Sequence, residues 1–491
     1  FRENSNFSIR KRASALNVHR SSLHSILHKY LMLHPYKLTG YNQRTWFQQD
    51  VATLHTSVES DKLPKEYIIY TRRWLVLGLY VLSTAFNGLM WLQYSVIADI
   101  IMDYYDIGST WVDMTSLVFM ISYVILVFPA SWILDKYGLR TSALIGAIGT
   151  CVGCWVKVLS VDRELFWVGF IGQAFIGMAA VFILGTPARH AAVWFGPSQV
   201  STACSIGVAG NQFGVALGFL LPPIMVKNND DKELIGNDLE VMFYTMAGST
   251  TILVVLIVLF FRDAPPTPPS AAQDNIEAPA EDSYFKFIRR LLVNKDYMLL
   301  LFSYGISVAV FGAISTLLNQ VVLVYYPGAN EDVGRIGLVL VLAGMLGSVV
   351  FGYILDRTHR FKETTIGLCG ASVVGMLIYT FTLNTGEMSI VYISSFILGF
   401  FMTGYIPVGF EYAAEITYPE PEGTVSGLLN ASTQVFAVIF TFMYGYFIDV
   451  WGNVWANVAL AVILGIGTIL PMFITSNLLR QAAYKTEDIK A

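Results

Sequence analysis

From Trp74 onward, apolar positions gather into long unbroken runs rather than alternating with polar ones, and short polar breaks separate the runs. A helix needs about 20 such residues to cross roughly 30 Å of hydrocarbon, and the runs reach or approach that length. The pattern predicts twelve spans, at 73–101, 112–134, 141–161, 165–192, 199–226 and 241–261, then 297–325, 334–355, 364–383, 389–414, 424–448 and 453–475. The segment "RDAPPTPPSAAQDNIEAPAEDSYFKFIRRLLVNKD" parts the sixth from the seventh and reads as a linker with a short basic amphipathic helix near its end. The organisation expected is a leader at 1–65, a six-helix half at 70–262, a linker at 263–296, a second half at 297–478 and a tail at 479–491.

Composition sharpens this to an all-α membrane protein. The chain is 55% hydrophobic and 13% charged, against roughly 25% charged residues in soluble domains. Cys151, Cys154, Cys204 and Cys369 all fall inside apolar runs and read as packing residues, so no metal site and no cofactor is expected. The net charge of −4 excludes a strongly basic nucleic-acid binder, and only its distribution is informative. Arg72 and Arg73 precede the first span, Lys136 and Arg140 follow the second, Arg262, Lys286, Arg289 and Arg290 lie in the linker, and Arg357, Arg360 and Lys362 follow the eighth. The loops between, such as "DIIMDYYD" and "KNNDDKE", are acidic or mixed, which predicts that both termini and the linker are cytoplasmic.

The two halves repeat each other. "SWILDKYGLRTS" and "GYILDRTHRFKE" place Asp135 opposite Asp356, 221 residues apart. Independently, "GPSQVSTACSIGVAGNQF" and "YPEPEGTVSGLLNASTQVF" place Pro197 opposite Pro419 and Gln212 opposite Gln434 at an offset of 222. Six plus six spans, with an acidic-basic turn after the second span of each half, resemble the major facilitator superfamily. That resemblance implies a substrate site near the bilayer midplane between the halves and access that alternates by rocking. Asp135 with Arg140, and Asp356 with Arg357, are then candidate latches; the alternative is that the two Asp residues merely end helices.

Polar residues inside the spans are few, and each is a candidate. "FNGLMWLQYS" puts Trp91, Gln93 and Tyr94 in the first span, where an indole face suits a quaternary ammonium or serves as a packing anchor. Asn211, Gln212, Asn319, Gln320, Asn430 and Gln434 are neutral amides that either bond a substrate hydroxyl or tie helices together. Carboxylates are absent from the middle of every span, which argues against proton coupling through a midplane acid and for facilitated diffusion. Glu411, near the cytoplasmic end of the tenth span, falls opposite Arg189 by the repeat offset; the two either gate the cavity together or snorkel separately.

The strings "RRWLVLGLYVLSTAFNGLMWLQYSVIAD", "WFGPSQVSTACSIGVAGNQFGVALGFLLPP", "STLLNQVVLVYY" and "GFFMTGYIPVGFEYAAEITYPEPEGTVSGLLNAS" closely resemble the feline leukaemia virus subgroup C receptor family, whose members transport choline and ethanolamine and were earlier described as haem exporters. In that family a Trp of span one and a Tyr of span seven box an ammonium head, with Gln residues of spans four and eleven nearby. Trp91 and Gln434 match two of the four, whereas Ala180 stands for the other Gln and Gly312 for the Tyr. The resemblance implies a choline or ethanolamine uniporter in the plasma membrane, with mitochondrial or endoplasmic reticulum membranes as alternatives. The losses at 180 and 312 imply a wider pocket that keeps haem, or another organic amine, as the second reading; Tyr304 and Phe311 are substitute walls for the lost Tyr.

The leader stands apart. "RASALNVHRSSLHSILHKY" followed by "LHPYKL" and "WFQQDVATLHT" resembles pieces of mariner-type transposases, with Asp50 matching one of three metal-binding carboxylates. One carboxylate cannot form a two-metal clamp, so this segment is expected to be a disordered fusion remnant with no functional nucleic-acid binding.

Overall fold

A computed structural model of the chain describes residues 70–196, 199–267, 288–418, 422–475 and 478–479. The transposase-like leader, most of the linker and nearly all of the tail lie outside these residues, as do the side chains of Asp135 and Asp356.

Among the described residues, twelve helices are long and apolar enough to cross a membrane: Arg72–Tyr105, Ser109–Leu134, Lys136–Val158, Phe166–Leu184, Thr202–Met225 and Lys232–Phe260, then Lys295–Leu323, Asn330–Leu355, Phe361–Thr382, Met388–Thr417, Thr424–Trp451 and Asn453–Phe473. They are called spans one to twelve below. The predicted count is observed, with one correction of substance. Span four does not continue to residue 192; it ends at Leu184, and a separate short helix runs Pro187–Trp194. Pro187 sits in its first turn, where the N–H that proline lacks would have no helical acceptor.

Small residues let the helices of each half approach closely. On span three a Cβ added at Gly149 or Gly153 would strike Ala179 or Ile176 and Gly172 of span four. A Cβ at Gly88 or Gly214 would strike the backbone across the contact between spans one and five. Apolar lipid gives helices no hydrophobic reason to associate, so this intimacy of van der Waals contact is what holds them.

The internal repeat is visible in the backbone. Gly138, at the turn after span two, has φ 87°, and its counterpart 221 residues on, His359, has φ 52°. A Cβ at Gly138 would run into the carboxylate of Asp263, which accepts the Arg140 N–H at 2.9 Å and so caps the start of span three. Arg140 also donates from Nη2 to the Val258 carbonyl at 3.1 Å. The capping carboxylate described here is therefore Asp263, and Arg140 binds span three to the end of span six within its own half. Arg357 lies over the Tyr353 ring at 5.4 Å.

His190, on the short helix, is fully buried; its ring stacks on Tyr80 at 5.0 Å and neither ring nitrogen has a partner among the described residues. Burial pushes its imidazole down to about 4 from an ordinary 6.5. The neutral form is favoured on folding, so its contribution to stability is complete above pH 6.5 and is lost as pH falls toward about 4. Thermal unfolding in detergent should show His190→Phe flattening the acid side of the stability profile across that window; an unchanged profile would contradict this placement.

Candidate functional site

One extended hydrophobic core joins the halves: Leu92, Val96, Leu117, Met120, Val215 and Phe219 of the first pack with residues of spans seven, eight, eleven and twelve. The face carrying Arg72, Lys136 and Arg357 is called the basic face. The shared core extends toward the opposite face, where it includes Val321, Val333, Leu383 and Val391. A Cβ at Gly334 or Gly337 of span eight would collide with Phe219 of span five, so the two helices touch there without a gap.

Polar groups seal the same seam. Asn319, 1% exposed, donates from Nδ2 to the Val96 carbonyl at 2.8 Å and to Asp99 Oδ1 at 3.0 Å, and the Asp99 N–H reaches Asn319 Oδ1 at 3.4 Å. Gln320 donates to Asp113 Oδ1 at 2.8 Å. Spans one, two and seven are thus tied together across the two halves. The sequence raised Asn319 and Gln320 only as amides of open role; their carboxylate partners, Asp99 and Asp113, were not among the candidates because each lies near the end of an apolar run.

Trp91 sits on the inner side of this seal. It is half-buried and packs against both the shared core and a first-half core containing Met90, Cys154 and Ala180. Its carbonyl accepts Ser116 Oγ at 2.9 Å, and its indole N–H has no partner among the described residues. Ser116 is one turn from Met120 on span two, and Met120 Cε lies 3.4 Å from where a Cβ at Gly312 would stand, with Ala437 Cβ at 3.7 Å. Ala437 follows Gln434 by three residues on span eleven, which puts both on one helix face. Trp91, Met120, Gly312 and the Gln434 face therefore converge where the halves meet. Trp91 and Gly312 are themselves counterparts at the 221-residue repeat offset.

Gln212 and Gln434 are half-buried and make no hydrogen bond among the described residues, whereas Asn211 Nδ2 donates to the Thr84 carbonyl at 3.3 Å and ties span five to span one. Ala180 is 2% exposed within the first-half core. Arg189, on the short helix, and Glu411, in span ten, each make contacts of their own. Two candidates leave the group. Gln93 and Tyr94, 0% and 1% exposed, turn into the first half and engage Lys157 of span three. The helical period carried the signal: residues 91 and 93 lie some 200° apart around a helix, on opposite faces. Tyr304 is no substitute wall either, being fully buried in the second-half core at 5.6 Å from Tyr405 and 5.4 Å from Phe410. Phe311, the other residue named as a wall, is 6% exposed in the shared core, and Met120 Cε is the nearest side-chain atom to a Cβ built at Gly312.

Two pseudo-symmetric six-helix halves that meet across a polar seal, with an indole and unbonded amides beside it, define a membrane carrier of the alternating-access kind. Residues 79–441 match the sequence profile of the Major Facilitator Superfamily. The fold is also that of a bacterial homologue of the human lysosomal transporter Spinster in an inward-facing, unoccupied conformation, with a TM-score of 0.66 at 13% identity over 84% of this chain and 98% of that one. Among curated proteins, the chain is 48% identical over 417 residues to choline/ethanolamine transporter flvcr2a of Danio rerio, covering 84% of this chain and 89% of the relative. It is 45% identical over 416 residues to choline/ethanolamine transporter FLVCR2 of Homo sapiens, covering 84% and 79% respectively. The chain belongs to the Major Facilitator Superfamily and, within it, to the FLVCR family of transporters.

Proposed function

We propose that this protein is a facilitative carrier of choline and ethanolamine that works by alternating access. The observation that carries the reading is the placement of Trp91 between the halves with neutral groups around it, in a chain 45–48% identical to relatives named for those substrates. The indole face attracts the ammonium head by its quadrupole, and Gln434 and Gln212 accept or donate to the substrate hydroxyl. An ammonium needs no fixed anion in such a site, because the ring offers negative potential without a desolvated carboxylate to compensate on the return step. Haem is the weaker reading. Met120 approaches the space left by the missing side chain at Gly312, so the geometry there does not favour a large flat substrate.

In the same reading the basic face is cytoplasmic, the membrane is the plasma membrane, and the positive charge there follows the usual topological bias. Arg189 and Glu411 close the cytoplasmic side in the outward-open state, and Asp135 with Arg140 and Asp356 with Arg357 steady the turns that move. Reversing Arg189 and Glu411 together should restore transport lost on reversing either alone; failure of that rescue would remove the gate from the scheme. The function itself is tested by uptake of labelled choline and ethanolamine into cells lacking their own carriers. Saturable uptake of both is expected. No uptake with the protein demonstrably at the cell surface would overturn the assignment.

A further inference from the structure

A lysine inside a membrane helix is expensive to desolvate, and Lys157 is 1% exposed in the last turn of span three. Its ammonium has only neutral company among the described residues. Nζ donates to Gln93 Oε1 at 2.5 Å and to Gln173 Oε1 at 2.9 Å, and it lies 4.2 Å from the Tyr94 ring centroid and 5.3 Å from that of Phe243. A charge is more often kept at such a depth for a task than for stability, since apolar packing would serve stability as well.

What the cluster touches indicates the task. Span one is α-helical only to Leu92; after two turn residues it tightens into a 3-10 turn at Ser95–Ile97 and then resumes as a helix. Two carbonyls in the last turn before this break are held by other helices. Gln173 Nε2 of span four donates to the Met90 carbonyl at 2.8 Å, and Ser116 Oγ of span two donates to the Trp91 carbonyl at 2.9 Å. Side chains of neighbouring helices commonly satisfy the backbone where a membrane helix departs from α geometry. Lys157 bridges the two amides that flank the break, Gln93 within it and Gln173 against it, with Trp91 between their points of attachment.

The second half lacks this arrangement. At the 221-residue offset the counterpart of Lys157 is Ile378, that of Gln173 is Ser394, and that of Trp91 is Gly312. Span seven, the counterpart of span one, is one continuous helix over Lys295–Leu323. The fold is thus built a second time without the lysine, the amide clamp, the break or the tryptophan.

We propose that Lys157 is a positioning residue for Trp91: its ammonium, acting through Gln93 and Gln173, fixes the break in span one and so the presentation of the indole to the substrate. This rests on the reading of Trp91 as the ammonium contact. The test is the KM and the maximal rate per reconstituted copy for choline uptake into proteoliposomes by Trp91→Ala, Lys157→Met, their combination and Lys157→Arg. Lys157→Met should raise KM about three- to tenfold with little change in maximal rate, and the double variant should be no worse than Trp91→Ala alone. Lys157→Arg, which keeps the charge and donors, should recover part of the loss. Gln173→Met, which cuts the bond to the Met90 carbonyl without removing the charge, should reproduce the KM effect and stands in if Lys157→Met fails to assemble. A Lys157→Met effect that multiplies undiminished onto Trp91→Ala, or one confined to the number of active copies, would overturn the proposal while leaving the Trp91 contact intact. An unchanged KM in Trp91→Ala would instead overturn the contact itself, and this inference with it.

Discussion

Trp91→Ala is expected to raise the KM for choline about thirtyfold, the equivalent of the roughly 2 kcal/mol that a desolvated cation–π contact contributes. Gly312, the counterpart of Trp91 in the repeat, offers no second aromatic face at that position, so the indole carries the ammonium contact in this reading. Trp91→Phe keeps a weaker quadrupole and should lose less. The effect should be larger for choline than for ethanolamine, because a primary ammonium can replace part of the contact with hydrogen bonds to Gln434 or Gln212, which a trimethylammonium cannot. Equal losses for the two substrates would mean that Trp91 acts by packing, not by binding the head group. Concentration-dependent uptake of both amines, normalised to surface protein, decides this.

Asn319→Leu should open the seam on the face opposite the basic one. In the closed arrangement Asn319 serves the Val96 carbonyl and the half-buried Asp99 carboxylate, and leucine would leave the Val96 carbonyl without that donor in a buried contact. When the halves part, water reaches that carbonyl, so the penalty falls on the closed state alone. A buried polar group left unpaired costs about 2 kcal/mol, and a shift of that size changes the ratio of the two states about thirtyfold. Val96 is 1% exposed in the seam. In a background with Cys151, Cys154, Cys204 and Cys369 replaced, Val96→Cys should therefore react much faster with an impermeant maleimide when Asn319 is leucine. Unchanged labelling would show that the apolar contact of Phe219 with Gly334 and Gly337 is sufficient to hold the seam shut.

The spans could be read from the chain because each must be apolar along most of its length regardless of its neighbours, and the solvent that imposes this is the bilayer. The restart at Pro187 was harder to see, since "GTPARHAAVWF" stays apolar enough to pass as the end of span four. At Trp91 residue type alone left a choice between an ammonium contact and a packing anchor, and only the resemblance to the family singled it out. Gln93 and Tyr94 were grouped with it by proximity in sequence, although on a helix that proximity sends side chains in different directions. Lys157 attracted no notice, because a basic residue near the end of a span ordinarily snorkels to the interface. Only the packing of spans one, four and six around it shows that it is enclosed.

The sequence by itself determined the number of spans, the duplication of the six-helix unit and the presence of one indole where the repeat has a glycine. These are properties of composition and order along one dimension, and hydrophobicity and self-similarity report them directly. The tertiary structure alone decided that Asn319 meets Asp99, that Met120 stands beside Gly312, that Asp263 caps the helix behind Gly138, and that Lys157 donates to Gln93 and Gln173 from within the first half. Each of these joins residues of different helices, and which faces meet depends on rotations and approaches that glycine positions and polar partners settle together, so no single segment contains the answer.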